Sequence, residues 1–503
     1  MNHNLHALFE SRFPLDRDTV FLETDHGVAV TFRELDQATA RFASYLTGLG
    51  LKPGDRVAAQ VEKSPQALFL YLGCLRAGLV WLPLNTAYQS AEVEYFLGNA
   101  EPRAVITQPK SLAWTDEICT RLVIPHLLTL DEHGQGTLME RSAAATATFD
   151  TAMRAADDLA AILYTSGTTG RSKGAMITHR NLASNALALH KTWGFRPGDV
   201  LLHTLPLFHV HGLFVACHCA LLNGGRMIFH SRFEAAAVMR ALPRATVFMG
   251  VPTYYVRLLA DEKFDRAHVA NIRLFISGSA PLLTETFEAF RERTGKVILE
   301  RYGMTETGMI TSNPLEGERK GGTVGPPLPG VSVLVEGADG APVKSGEIGD
   351  ILVKGDNVLP GYWRMPEKNA EEFTADGYFK TGDVGRFDED GYLSIVGRSK
   401  DLVITGGYNV YPKEIELLLD EMPGVAESAV IGVPHPDFGE AVTAVVVQKA
   451  GATPVVESEV IAMLKSKLAN FKVPKRVHVV TDLPRNAMGK VQKNVLRQQY
   501  GKA

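Results

Sequence analysis

From residue 56 onward the chain alternates short apolar strand-like runs with amphipathic helical ones, and this alternation does most to limit its fold. "RVAAQV" (56–61), "LAAILYTS" (159–166), "TVFMGV" (246–251) and "IRLFIS" (272–277) read as strands. "THRNLASNALAL" (178–189) and "TETFEAFRERTG" (284–295) read as helices, and Thr253 is placed to cap another. Upstream, Thr31 and Glu34 have the spacing of a capping box. Leu35, Phe42 and Leu46 then mark one helical face, with Gly48 and Gly50 as stop signals. Such alternation implies α/β layers around a mostly parallel sheet.

After residue 320 the pattern changes. "ILVKG", "GYLSIVGR" and the turn "DEDG" imply short antiparallel strands. Beyond about 400 the helical runs "PKEIELLLDEM" and "ESEVIAMLKSKLAN" alternate with the strands "AVTAVVVQ" and "KRVHVV", a compact α+β unit. "GRSKD" (397–401) separates the patterns and sets the expected division: a large α/β domain over 1–397 and a small one over 401–503.

Length and composition bear on what such a chain does. With 503 residues it has room for two or more domains with large cores. Its 52 basic against 56 acidic residues support neither a nucleic-acid nor a membrane surface. The N-terminus lacks a basic region followed by an apolar core, and no stretch approaches a membrane span. The four cysteines form no disulfide framework. A cytoplasmic protein is therefore expected. Cys217-His218-Cys219 lies in the apolar run "GLFVACHCALL", so core packing is expected there rather than metal.

"YTSGTTGRSKGA" (164–175) is the first stretch with chemistry in it. It fails the Walker A spacing, because the fifth residue after Gly167 is Ser172. Gly167, Gly170 and Gly174 still allow close backbone approach, and successive N–H groups can form an anion nest. Thr165, Ser166, Thr168 and Thr169 add hydroxyls and Lys173 a mobile cation, in an apparent strand–loop–helix setting.

Three further stretches follow in order: "RYGMTET", "YFKTGDVGRFDEDGYLSIVGRSKDLVITGGYNVYPKEIE" and "LPRNAMGKVQKNVLR". Together the four resemble the adenylate-forming superfamily of acyl-CoA synthetases, luciferases and peptide-synthetase adenylation domains. The resemblance runs from about residue 28 to the C-terminus. It implies a large N-terminal multi-sheet α/β domain, a small mobile α+β C-terminal domain and an active site between them. It also implies a two-step reaction. A carboxylate attacks the α-phosphorus of ATP, giving an acyl-adenylate and pyrophosphate; the thiol of coenzyme A then displaces AMP.

By the same resemblance, Thr165, Ser166, Gly167, Thr168, Thr169, Gly170 and Lys173 would hold the phosphates. Glu306 would bind Mg2+, which favours oxygen ligands, and Thr305 would contact the α-phosphate. Tyr302 would stack on adenine, with Ser277, Gly278, Ser279 and Ala280 as the other wall. Asp383 would accept hydrogen bonds from the ribose hydroxyls, and Arg398 would hold the ribose. Lys490 would neutralise charge developing between carboxylate and α-phosphate; Met488 stands where many members carry Ser or Thr. Lys400 would be the pivot of a hinge over 398–400, and Gly406 and Gly407 would line the pantetheine tunnel. An accessible Lys490 is also an expected target of a lysine acetyltransferase and deacetylase, since acetylation removes its charge.

Arg301, directly before Tyr302, is placed to face the acid pocket, where a guanidinium suits a second carboxylate. "PLFHVHGLFVACHCALLNGG" adds His209 as a donor, with His211 beside it. These two segments resemble malonyl-CoA synthetases, so malonate, with methylmalonate beside it, is the expected substrate. A short-chain or aryl acid:CoA ligase and a stand-alone adenylation domain loading a carrier protein are the alternatives.

Overall fold

The structure is a computed structural model. It describes residues 2–165, 172–405, 408–435, 438–486 and 489–501, with the backbone alone at 408 and 409. The chain packs into two compact units. The first comprises Met1–Gly321, Gly325–Ser332 and Val353–Phe379; the second Gly322–Val324, Val333–Leu352 and Lys380–Ala503.

In the first unit the expected capping box forms: Thr31 accepts from the Glu34 N–H while Glu34 accepts from the Thr31 N–H. The helix Phe32–Gly48 then buries Leu35, Phe42 and Leu46. Among the described residues two sheets organise this unit. In the eight-stranded sheet, Ile298–Met304, Leu274–Ser277, Val247–Gly250, Val200–His203, Arg226–Phe229 and Val20–Thr24 run parallel in that order. Antiparallel strands Gly308–Ser312 and Ala29–Thr31 close its two edges. All of Val247–Gly250 and Leu274–Ser277 is buried, as sheets covered on both faces require. The six-stranded sheet is parallel except for its last pair, Leu159–Thr165 with Lys173–Thr178.

That pair corrects the strand–loop–helix setting expected for the glycine loop. The loop joins two antiparallel strands, Thr165 paired with Lys173 and Tyr164 with Gly174. The helix starts only at His179, capped by Thr178. "KGAMIT" buries every residue except the partly exposed Lys173 and Met176, so it has no two-residue alternation to stand out beside the helix that follows. Thr253 is a second correction. The helix Pro252–Leu259 is capped by Val251, two residues earlier, because proline at its first position already supplies the required φ.

The second unit holds the sheet expected near the C-terminus. Val425–His435 pairs antiparallel with Gly439–Gln448, which pairs parallel with Arg476–Val480. Pro412–Asp420 and Glu457–Lys467 bury Ile415, Leu419, Val460 and Leu464 in the core of this unit. Most of a further four-stranded sheet also lies here: Phe379–Phe387 runs antiparallel to Leu393–Arg398, with "DEDG" as their turn. Among the described residues no helix is long and apolar enough to cross a membrane.

Candidate active site

Three strand ends of the first unit bring its candidate residues together. Thr165 ends Leu159–Thr165, Ser277 ends Leu274–Ser277, and Thr305 and Glu306 form the turn between Ile298–Met304 and Gly308–Ser312. The carboxylate of Glu306 is buried, 6% exposed. Its Oε1 accepts hydroxyl bonds from Thr165 and from Tyr362, both 3.1 Å. Among the described residues no cation lies within ion-pair distance of it, and the donors it meets are neutral hydroxyls. Lys173 lies 2.9 Å from Glu372 and 4.2 Å from the centre of the Tyr362 ring. Ser166, Gly167, Thr168, Thr169 and Gly170 lie outside the described residues.

Along Ile298–Met304 successive side chains take opposite faces, so Arg301 and the half-buried Tyr302 point different ways. Arg301 is 3% exposed. Glu300, the residue before it, accepts from the N–H of Leu282. Arg301 Nε and Nη2 have no hydrogen-bond partner among the described residues. Burial lowers the guanidinium pKa to about 9. Gly278 makes room for it: a Cβ there would stand 2.4 Å from Arg301 Cζ. Ser277 Oγ and His211 Nε2 are also buried without partners among the described residues. Ser279, at φ 72°, brings its Oγ to 3.2 Å from His211 Nδ1. That conformation is sparsely populated outside glycine and persists only where the surroundings impose it. Ala280 follows, partly buried.

The histidines divide their work. The His209 Nδ1 accepts from the backbone N–H of His211 at 3.3 Å. His211 is 1% exposed and neutral, its pKa pushed well below the usual value by burial and then by the Arg301 charge. Sequence reasoning picked out Arg301 and His209, but not His211 as the ring beside Arg301, nor Tyr362 and Glu372. The last two come from a segment at least 56 residues away from Glu306 in sequence, and no local spacing marks them.

Cys217, His218 and Cys219 are buried in the core, as expected. His218 Nε2 meets the Tyr71 hydroxyl at 2.8 Å. No group of three metal-binding side chains occurs among the described residues.

In the second unit Asp383 and Arg398 face each other across paired strands, with Arg398 Nε 2.8 Å from Asp383 Oδ1. Lys400 lies in a single turn over Ser399–Asp401, and Asp401 is held by Arg497 at 2.7 Å. Lys490 is exposed. Its backbone closes a tight turn: Asn486 Oδ1 accepts the Lys490 N–H at 3.0 Å, and Arg485 donates to the Gly489 carbonyl at 2.6 Å. Gly406 and Gly407 lie outside the described residues.

Comparison with known proteins places this arrangement. Residues 9–363 match the family model of the AMP-binding enzymes, and residues 414–490 that of the AMP-binding enzyme C-terminal domain. The crystal structure of ATP-bound MatB from Rhodopseudomonas palustris shares 53% sequence identity and superposes with a TM-score of 0.97, covering 100% of this chain and 99% of that one. A feruloyl-CoA synthase from an Amycolatopsis species is 36% identical over 479 residues, 94% of this chain and 95% of its own. A malonate–CoA ligase from Arabidopsis thaliana is 36% identical over 486 residues, 90% of this chain and 79% of its own. The chain belongs to the AMP-binding enzyme family and is an adenylate-forming acid:CoA ligase. Ligases of this class consume ATP and coenzyme A.

Proposed function

We propose that the acid is malonate, with methylmalonate accepted beside it, and that the products are malonyl-CoA, AMP and pyrophosphate. One observation carries this reading: among the described residues Arg301 is a buried cation with two N–H groups unpartnered, and Ser277 Oγ and His211 Nε2 are buried without partners too. A pocket for an apolar acid gains nothing from such groups and carries their desolvation cost. A dicarboxylate supplies what they lack, a second anion that the guanidinium can hold through two bonds. The likeness to MatB and to the Arabidopsis malonate–CoA ligase supports the same substrate.

In this reading the attacking nucleophile is the substrate's own carboxylate, so the protein's task is to align two anions and offset their charge. Thr165, the loop 166–170 and Lys173 hold the phosphates, with Lys173 exchanging Glu372 for a phosphate oxygen. Thr305 meets the α-phosphate. Glu306 suits Mg2+, being a buried carboxylate with hydroxyl donors and no cationic partner among the described residues; the ion, when bound, would neutralise phosphate charge. Tyr302 and residues 277–280 bound the adenine. Arg398 holds one oxygen of Asp383 and so orients the carboxylate that accepts from the ribose hydroxyls. Lys490 stabilises charge during adenylation, residues 398–400 are the hinge with Lys400 as pivot, and Gly406 and Gly407 line the path of the CoA thiol. Exposure of Lys490 also suits control by a lysine acetyltransferase, which intact-mass measurement after incubation with acetyl-CoA and such an enzyme would reveal.

ATP–pyrophosphate exchange over a series of mono- and dicarboxylic acids tests the substrate. Malonate should give the highest exchange rate, with methylmalonate next. Higher exchange with propionate, benzoate or ferulate would overturn the assignment.

A further inference from the structure

Outside every role assigned above lies another buried basic side chain. Lys63 follows the strand Arg56–Gln60 of the six-stranded sheet and is 8% exposed. Its ammonium donates to His203 Nδ1 at 2.7 Å and to the His203 carbonyl at 3.0 Å. It also lies 4.3 Å from the centre of the Phe229 ring. No carboxylate comes within ion-pair distance of it among the described residues. His203 belongs to the eight-stranded sheet, so the contact ties the two sheets of the unit together.

The histidine passes the contact on. Since Nδ1 accepts from Lys63, Nε2 carries the proton, and it donates to the Gly212 carbonyl at 2.9 Å. Gly212 lies in the first turn of a π-helix over His211–Cys217, a form that is rare and frequent at functional sites. The turn is packed to its limit: a Cβ on Gly212 would stand 2.0 Å from the Pro206 carbonyl oxygen. The preceding residue is His211, whose ring meets Ser279 beside Arg301. A continuous chain of contacts thus runs from Lys63 through His203 and Gly212 to the wall of the acid pocket.

A lysine buried without a counter-ion is costly and makes a poor structural strut. Burial lowers its pKa to about 7, and the groups facing it offset little of this. Cys217 is a neutral thiol, pushed up to about 12 by its own burial, and Asp25 and His230 act only from beyond contact. An apolar side chain of similar length would fill the space at lower cost. What it could not do is donate to His203 and so fix its tautomer and its bond to Gly212.

We propose that Lys63 is a positioning residue for the acid pocket: through His203 it holds the Gly212 carbonyl, and with it the π-helical turn that aims His211 at the distal carboxylate of the substrate. The inference rests on the reading of that pocket as a dicarboxylate site at Arg301.

The test compares KM and kcat for malonate and propionate, and KM for ATP, in Lys63→Met, His203→Asn, the double variant and Arg301→Ala. Asparagine at 203 keeps an acceptor for Lys63 but loses the bond to Gly212. Lys63→Met should raise KM for malonate about tenfold or more, leave KM for ATP within about twofold, and affect propionate far less. His203→Asn should do the same, and the double variant should be no worse than the worse single, as for residues acting in series. Should Lys63→Met fail to fold, His203→Asn decides by the same criterion. Equal losses on both acids, or an unchanged KM for malonate, would overturn the role of Lys63 if Arg301→Ala is itself selective for malonate. An unselective Arg301→Ala would instead overturn the dicarboxylate pocket, and this inference with it.

Discussion

In the proposed reading, Arg301 shows at the level of one residue how function is held against stability. The unfolded chain keeps the arginine proton up to its usual, higher pKa, whereas burial lowers that pKa to about 9 in the folded chain. Between those values the unfolded state binds more protons, so stability rises with pH across that window. Below it the buried charge is a standing cost, on the order of several kcal/mol. Arg301→Met should therefore melt no lower than the native protein at pH 7.5, and its advantage should shrink as the pH is raised toward 10. Melting curves at several pH values check this; a markedly lower melting temperature for Arg301→Met at pH 7.5 would show that the guanidinium is a structural partner. Arg301 was legible in the sequence because its neighbour Tyr302 belongs to a motif that fixes the register of the strand. His211 was not, because two histidines in "HVHG" cannot be told apart until the backbone winds as a π-helix and directs one ring inward.

At the scale of elements, the site is built from strand ends packed closely enough that a glycine decides the geometry. Gly278 follows Leu274–Ser277 and lies against the Arg301 side chain of the neighbouring strand. Gly278→Ala should displace the guanidinium and raise KM for malonate about tenfold or more, with a smaller change for ATP. Steady-state kinetics decides it, and an unchanged malonate KM would mean that the guanidinium has another place to go. Most elements followed from periodicity, capping and turn residues: the capping box at Thr31 and Glu34, the buried strands and the "DEDG" turn all form. The hairpin strand Lys173–Thr178 was hidden because its six residues show no two-residue alternation and lie beside a strong helix pattern. The contacts of Glu306 with Tyr362 and of Lys173 with Glu372 were hidden for a different reason, since pairings across long stretches of chain leave no trace in local spacing.

For the molecule as a whole, the two half-reactions should separate genetically. Lys490→Ala should nearly abolish acyl-adenylate formation yet spare thioester formation from supplied acyl-adenylate. Lys400→Pro should do the converse, because proline restricts φ at the proposed hinge. Measuring each half-reaction on both variants gives the answer; equal losses in both steps for Lys490→Ala, or native thioester formation in Lys400→Pro, would contradict the assigned roles.

One comparison tests the choice of acid most directly: kcat/KM of Arg301→Ala for malonate and for propionate, measured on the same preparation. Leaving the distal carboxylate of malonate buried without its cation should cut kcat/KM for malonate at least about a hundredfold, roughly 2.7 kcal/mol. Propionate, which has no such group, should lose far less. If both acids fall by the same factor, Arg301 is a structural residue and the dicarboxylate pocket is wrong.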